Sequence, residues 1–288
     1  MAATLHCRCV AARAPIKEAL KRVVSQKTRM RVRRLGRFRW ITKTRGVIEH
    51  VGSPWPWLGY ILWDPEIDSF TYSIENEDEL IAMLAELLGR PHEEISRHVA
   101  EVHTDPILRA ALHQPWRRWL WTKRQLEPNG WQTALWTIVR VLRPVDVAES
   151  GILNGMASTV MLAALERNAR EGSSGSLVSV DIIPTAGELV PANLHGRWQK
   201  LTGDALAELP RGLEGRTVGL FVSDSLPDTD FVRRELEIAL QHRADECVLV
   251  VVASAVTAME EMGFHVRRFQ EKPHKHFYRG GEISFARV

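Results

Sequence analysis

In the second half of the chain, apolar β-branched runs alternate with helical patterns. The runs are VDVA, LVSVDI, TVGLFVSD and CVLVVVAS, with a weaker one at WQKLTGD, and a helical pattern separates nearly every pair. Strands that read as continuous apolar runs are buried on both faces, so the alternation predicts a doubly wound, mostly parallel α/β sheet with helices on both sides. The end departs from this rule. HVRRFQEKP and EISFARV are separated only by HKHFYRGG, which is shorter than the dozen or so residues of a parallel crossover. The last strand is therefore predicted to run antiparallel.

Upstream, the periodicity is helical. Asn76 with Glu79 predicts a capping box before ELIAMLAELLG, a helix that Gly89 and Pro91 should stop. Thr104, Asp105 and Pro106 open a shorter helix, Pro115 opens PWRRWLWTKRQL, and Asn129-Gly130 precedes WQTALWTIVRVL. Still earlier, GSPWPWLGYILWDPEIDSFTYSI has the prolines and short β-rich runs of turns and edge strands. Nine of the ten tryptophans lie between Trp40 and Trp136. Indoles at helical spacing pack inward, which makes most of them core residues; the alternative is an aromatic lid over an apolar substrate.

Length and charge divide the chain further. Its 288 residues exceed one typical core, so one main domain with an N-terminal extension is expected. Residues 1–48 carry 14 Lys/Arg against Glu18 alone, a surplus of +13 in a chain whose net charge is only +3. Three regions follow: a basic arm, 1–28; a Trp-rich α+β region, 29–128, serving as substrate lid or oligomerisation surface; and a ligand-binding domain, 129–288. The alternating Arg and apolar residues of RMRVRRLGRFRW suit a half-buried strand. That stripe either contacts nucleic acid or docks on the protein's own acidic surface. Cys7, Cys9 and Cys247 make no disulfide framework, and no stretch approaches the length of a membrane span. A reducing cytoplasm is the expected location.

The chemistry concentrates at VDVAESGILNGMAS. A strand ends in Glu149, turns through Gly151 and Gly155, and enters a helix whose first amides point back to the turn. ESGILNG is not GxGxxG, and an acid closing the first strand argues against phosphate. Asp181, closing LVSVD, is placed to accept hydrogen bonds from ribose hydroxyls. A nucleoside with a cationic, amino-acid-like part fits both features.

With these motifs the sequence resembles the class I S-adenosylmethionine-dependent methyltransferases. VDVAESGILNG is similar to their first motif, LVSVD to the acidic second, LTGDA to the segment after the third strand, and LFVSDS to the fourth strand. The resemblance covers about residues 130–288. LVSVDIIP, DSLPDTDFVRRELEIAL and FQEKPHKHFYRGGEISFAR are also similar to a bacterial branch containing the macrocin and cephamycin-type O-methyltransferases. It implies a seven-stranded sheet and S-adenosylmethionine as cofactor. The implied cofactor residues are Glu149, Gly151, Asn154 and Gly155 around the methionine portion, Asp181 at the ribose, Asp204 at the adenine edge and Asp224 facing the methyl transfer.

The departures shape the expected mechanism. That branch commonly has a histidine after the fourth strand and an Asp-Asn pair after the fifth, which serve a divalent metal; here these positions are Pro227 and Ala253-Ser254. A hard cation needs several oxygen ligands, and Asp228 and Asp230 suit the start of a helix better. Metal-independent transfer is expected. Candidate catalytic residues are Asp224 and, in the final hairpin loop, His274, His276 and Tyr278. The expected function is methylation of a small molecule, at oxygen, in specialised metabolism. The alternatives are a methyltransferase-fold protein that binds without methylating, and an RNA methyltransferase that uses the basic arm.

Overall fold

The computed structural model describes residues 72–113, 127–226, 228–252, 256–273 and 280–288. These lie in a compact unit spanning Ser69–Val288. The basic arm, seven of the tryptophans and the histidine loop fall outside the described residues.

Four helices precede the sheet: α1 (Glu77–Leu88), α2 (His92–Thr104), α3 (Pro106–Leu112) and α4 (Gly130–Leu142). Strands and helices then alternate: β1 (Asp146–Ser150), α5 (Met156–Arg170), β2 (Ser176–Asp181), a 3₁₀ turn (Ala192–Arg197), β3 (Trp198–Thr202), α6 (Ala205–Leu213), β4 (Val218–Ser223), α7 (Thr229–Gln241), β5 (Arg243–Val252) and α8 (Val256–Glu261). β6 (Arg267–Gln270) and β7 (Glu282–Arg287) close the chain.

Strand order is β3-β2-β1-β4-β5-β7-β6. β1 to β5 are parallel, and β7 is antiparallel to both β5 and β6. This is the seven-stranded class I methyltransferase arrangement, with the antiparallel strand where the short final connection requires it. Because β7 reverses twice against its neighbours, the end of β6 and the start of β7 lie on the same edge as the carboxyl ends of β1, β2 and β4. Strand order reverses between β1 and β4, where open α/β sheets bind ligands.

Alternate side chains build two cores. Val147, Leu220, Val222, Val248 and Val250 pack with α1 to α5, including Trp131 and Trp136. Ala148, Phe221, Leu249 and Val251 pack on the other face with α6, α7 and α8. Three local expectations have different outcomes. Asn129 and Gln132 form the reciprocal capping box of α4, and Asp105 caps α3 through the amides of Ile107 and Leu108. The capping box expected at Asn76 does not form. Its Oδ1 accepts from the Lys272 amide at 2.9 Å, and its Nδ2 donates to Glu79 Oε2 and the Gln270 carbonyl. Tertiary partners on β6 and just beyond it thus take over the side chain that local chemistry assigned to the helix.

Candidate functional site

The β1–α5 turn contains three left-handed residues within five: Gly151 at φ 90°, Leu153 at φ 51° and Gly155 at φ 90°. Protein backbone, rather than ligand approach, accounts for the glycine at the first position. A Cβ on Gly151 would lie 2.2 Å from the Asp224 carbonyl oxygen. The turn is held between two strands, with the Gly151 amide donating to Val180 O at 2.9 Å and the Asp224 amide donating to Ser150 O at 2.8 Å. Leu153 has no such steric excuse, so its conformation carries strain of the kind that collects at functional turns. One consequence of the turn is visible. The amides of Ile152 and Leu153 both donate to Asp181 Oδ2 at 2.9 Å, and Ile183 N donates to Oδ1 at 2.7 Å.

Three carboxyls converge on this edge. Glu149 is fully buried; Oε2 accepts from Ser158 Oγ at 2.5 Å and Ser179 Oγ at 2.8 Å, while Oε1 has no hydrogen-bond partner among the described residues. Burial, reinforced by the charges of Asp224 and Asp181, pushes its carboxyl up to about 8. Asp224, just beyond β4, is solvent-exposed, yet the surrounding protein and the charge of Asp181 push it up to about 7. Among the described residues, the charges that act on Glu149 and Asp224 are those of neighbouring carboxyls. Lys200, which feels Asp181, donates instead to the carbonyls of Pro184 and Ala186 at 2.7 Å.

A ligand with a positively charged part suits this arrangement. It would relieve mutual repulsion and give Glu149 a counter-charge. S-adenosylmethionine, with an ammonium and a sulfonium, meets that requirement. Asp181 already accepts three backbone hydrogen bonds, and a carboxylate has about four lone-pair sites. It is a rigid acceptor with capacity left for a ribose hydroxyl.

Other sequence-expected residues take definite places. Asn154 is buried beside the turn, and its Oδ1 accepts from Met156 N at 3.1 Å. Gly155 is the left-handed cap of α5, and a Cβ there would meet Gly187 and Val190 at 2.8 Å. Asp204 is exposed and caps α6 through Leu206 N. Asp228 caps α7 through Phe231 N, and Asp230 pairs with Arg233. His274, His276 and Tyr278, together with Pro227, Ala253 and Ser254, lie outside the described residues. Of the residues flanking that loop, Pro273 bridges to Ile74 and Gly280 packs against the Glu271 backbone.

Sequence reasoning overlooked two buried acids here. Glu271, after β6, accepts from the Tyr72 hydroxyl, from Trp131 N at 2.8 Å and from Gly281 N at 2.8 Å. It thereby ties the N-terminus of α4 to the base of the histidine loop. Glu235 lies on the apolar face of α7, in line with the buried Val232, Leu236 and Ala239. A Glu at helical spacing among apolar residues was the available signal.

Residues 148–251 match a family model described as a methyltransferase domain, and the fold around them is of the class I methyltransferase type. Among solved structures, the chain is similar to an O-methyltransferase from Bacillus cereus in complex with SAH, at 15% identity and a TM-score of 0.43, covering 72% of this chain and 96% of that one. It is also similar to the O-methyltransferase TomG from Streptomyces achromogenes, involved in tomaymycin synthesis, at 16% identity and a TM-score of 0.45, covering 75% and 99%. No curated protein matches significantly.

Protonation gives the acidic site a measurable signature. Glu149 and Asp224 hold protons at neutral pH more than ordinary carboxyls do, and a cationic ligand should lower both pKa values. Binding of S-adenosylhomocysteine, whose ammonium supplies the charge, is expected to release protons near pH 7. Titration calorimetry in buffers of different ionisation enthalpy should show the release, and Glu149→Gln should reduce it. The same shift has a stability sign. A folded pKa above the unfolded one means that the native state binds more protons, so Glu149 lowers stability as pH rises from about 4.5 to about 8.

Proposed function

We propose that the chain transfers a methyl group from S-adenosylmethionine to an oxygen of a small-molecule acceptor, without a divalent metal, in specialised metabolism. The acidic edge formed by Glu149, Asp181 and Asp224, with its unpartnered buried oxygen, carries this reading. When bound, the cofactor supplies an activated methyl group. Glu149 and the Gly151–Gly155 turn would hold its methionine portion, and Asp181, fixed by three amides, would take the ribose.

Asp224 is the described residue best suited to move a proton. It is exposed at the end of β4, and its carboxyl is raised toward neutrality, the range in which a general base for a hydroxyl works best. An acceptor hydroxyl could deliver its proton there as its oxygen attacks the methyl carbon. Alignment of nucleophile, methyl and sulfur supplies much of the remaining acceleration. Support for metal independence comes from the residues committed elsewhere: Asp228 and Asp230 serve α7, and Pro227 and Ala253-Ser254 offer few hard ligands.

Calorimetry with S-adenosylhomocysteine tests the cofactor, and a panel of phenols, catechols and sugar hydroxyls with radiolabelled S-adenosylmethionine tests the acceptor class. Rates in excess EDTA and in added magnesium should agree. Asp224→Asn should slow transfer by about 10²- to 10⁴-fold. Magnesium-dependent turnover would defeat the metal-free mechanism, and undiminished rates in Asp224→Asn would remove Asp224 as the base.

A further inference from the structure

We propose that Glu235 is a positioning residue: from within α7 its carboxylate ties the cofactor turn to the Asp224 segment and fixes their separation. On the cofactor-site reading given above, this makes a residue on the far face of the sheet a determinant of cofactor affinity.

Glu235 is fully buried. Its Oε1 accepts from Ser150 Oγ at 2.5 Å and from Ser225 Oγ at 2.9 Å, and its Oε2 accepts from Ser223 Oγ at 2.6 Å. These serines occupy the critical positions on two strand ends. Ser150 is the last residue of β1 and precedes Gly151; Ser223 and Ser225 flank Asp224. The β1–β4 ladder ends at the pair Ser150↔Ser223. Beyond that pair only the Asp224 amide, donating to Ser150 O, continues the connection. Glu235 therefore acts where sheet pairing stops setting the spacing.

A packing role alone does not explain the residue type. The neighbours of Glu235 along α7, Val232, Leu236 and Ala239, are apolar and buried, and a leucine in their midst would avoid the cost of desolvating a carboxyl. What a leucine lacks is direction. A carboxylate that receives three hydroxyl donors restrains two chain segments at once, and those segments carry Gly151 and Asp224. Their tolerance is small, since even a methyl group on Gly151 would collide with the Asp224 carbonyl.

The test measures S-adenosylhomocysteine affinity of the full chain by calorimetry, at temperatures where circular dichroism shows each variant folded. Glu235→Ala should weaken binding by about tenfold or more, the consequence of losing buried hydrogen bonds at the turn. Glu235→Gln keeps the shape and a carbonyl acceptor, and should recover most of the affinity. Ser225→Ala, at an exposed position, removes one donor of three, should remain folded and should weaken binding by about threefold; it decides the matter if Glu235→Ala does not fold. Binding within about twofold of wild type in a folded Glu235→Ala or, failing that, in Ser225→Ala overturns the proposal, as does a Gln variant no better than Ala. Failure of the wild type to bind at all overturns the cofactor reading and this proposal with it.

Discussion

Gly151→Ala is expected to lose S-adenosylhomocysteine binding and to unfold at markedly lower urea concentration than wild type. Two independent costs meet at this residue. Its φ of 90° lies where a side chain is strained, and its Cβ would stand 2.2 Å from the Asp224 carbonyl oxygen and 2.8 Å from the Ser225 amide nitrogen. Neither atom belongs to a flexible side chain that could swing aside. Strain and overpacking together suggest a loss on the order of 3–5 kcal/mol. Relief requires the β1 turn and the β4 end to separate, which displaces Asp224 from its place beside the turn. A variant within about 1 kcal/mol of wild type that still binds would show that this contact is not as close as described.

The second large effect is expected at Asp181. Asp181→Ala removes the acceptor for the amides of Ile152, Leu153 and Ile183 as well as the partner expected for the ribose. A lost charged hydrogen bond is worth about 1.5–3 kcal/mol, so affinity for S-adenosylhomocysteine should fall by roughly 10- to 150-fold. Asp181→Asn separates the two roles. Its carbonyl can still accept from Ile152 and Leu153, while its amide group would oppose Ile183 N. Comparison of S-adenosylhomocysteine with its 2′-deoxy analogue in each variant isolates the sugar: wild type should prefer the ribose form, and Asp181→Ala should not. Equal discrimination in wild type and Asp181→Ala would place the ribose elsewhere.

Much of the architecture was legible because its signals are local or set by chain length. The apolar runs located β1, β2, β4 and β5, and the short link before EISFARV forced β7 to run antiparallel. Asp105, Asn129 and Asp228 cap the helices that follow them, each bonding an amide within three residues. The placement of Glu149, Asp181 and Asp224 at strand ends on one edge follows from the same alternation, since parallel strands share their carboxyl edge. Asn76 marks where such reasoning stops. Its sequence neighbours describe a cap, but the Lys272 amide, brought near by the packing of β6 beside α1, takes its Oδ1.

The sequence by itself determined which elements form, their directions, and which acids reach the carboxyl edge of the parallel strands, because hydrophobic period, caps and connection length act over a few residues. Only the tertiary structure decided what those groups touch. Gly151 is glycine because Asp224 backbone lies against it; Asp181 is pinned by amides of a turn that belongs to a different strand; and Glu235 gathers serines from β1 and β4 into one contact. Such pairings join residues tens of positions apart, and a carboxylate accepts from whichever donors the packed strands bring to it. The identity of those donors is therefore fixed by sheet order and helix placement, and no local pattern encodes it.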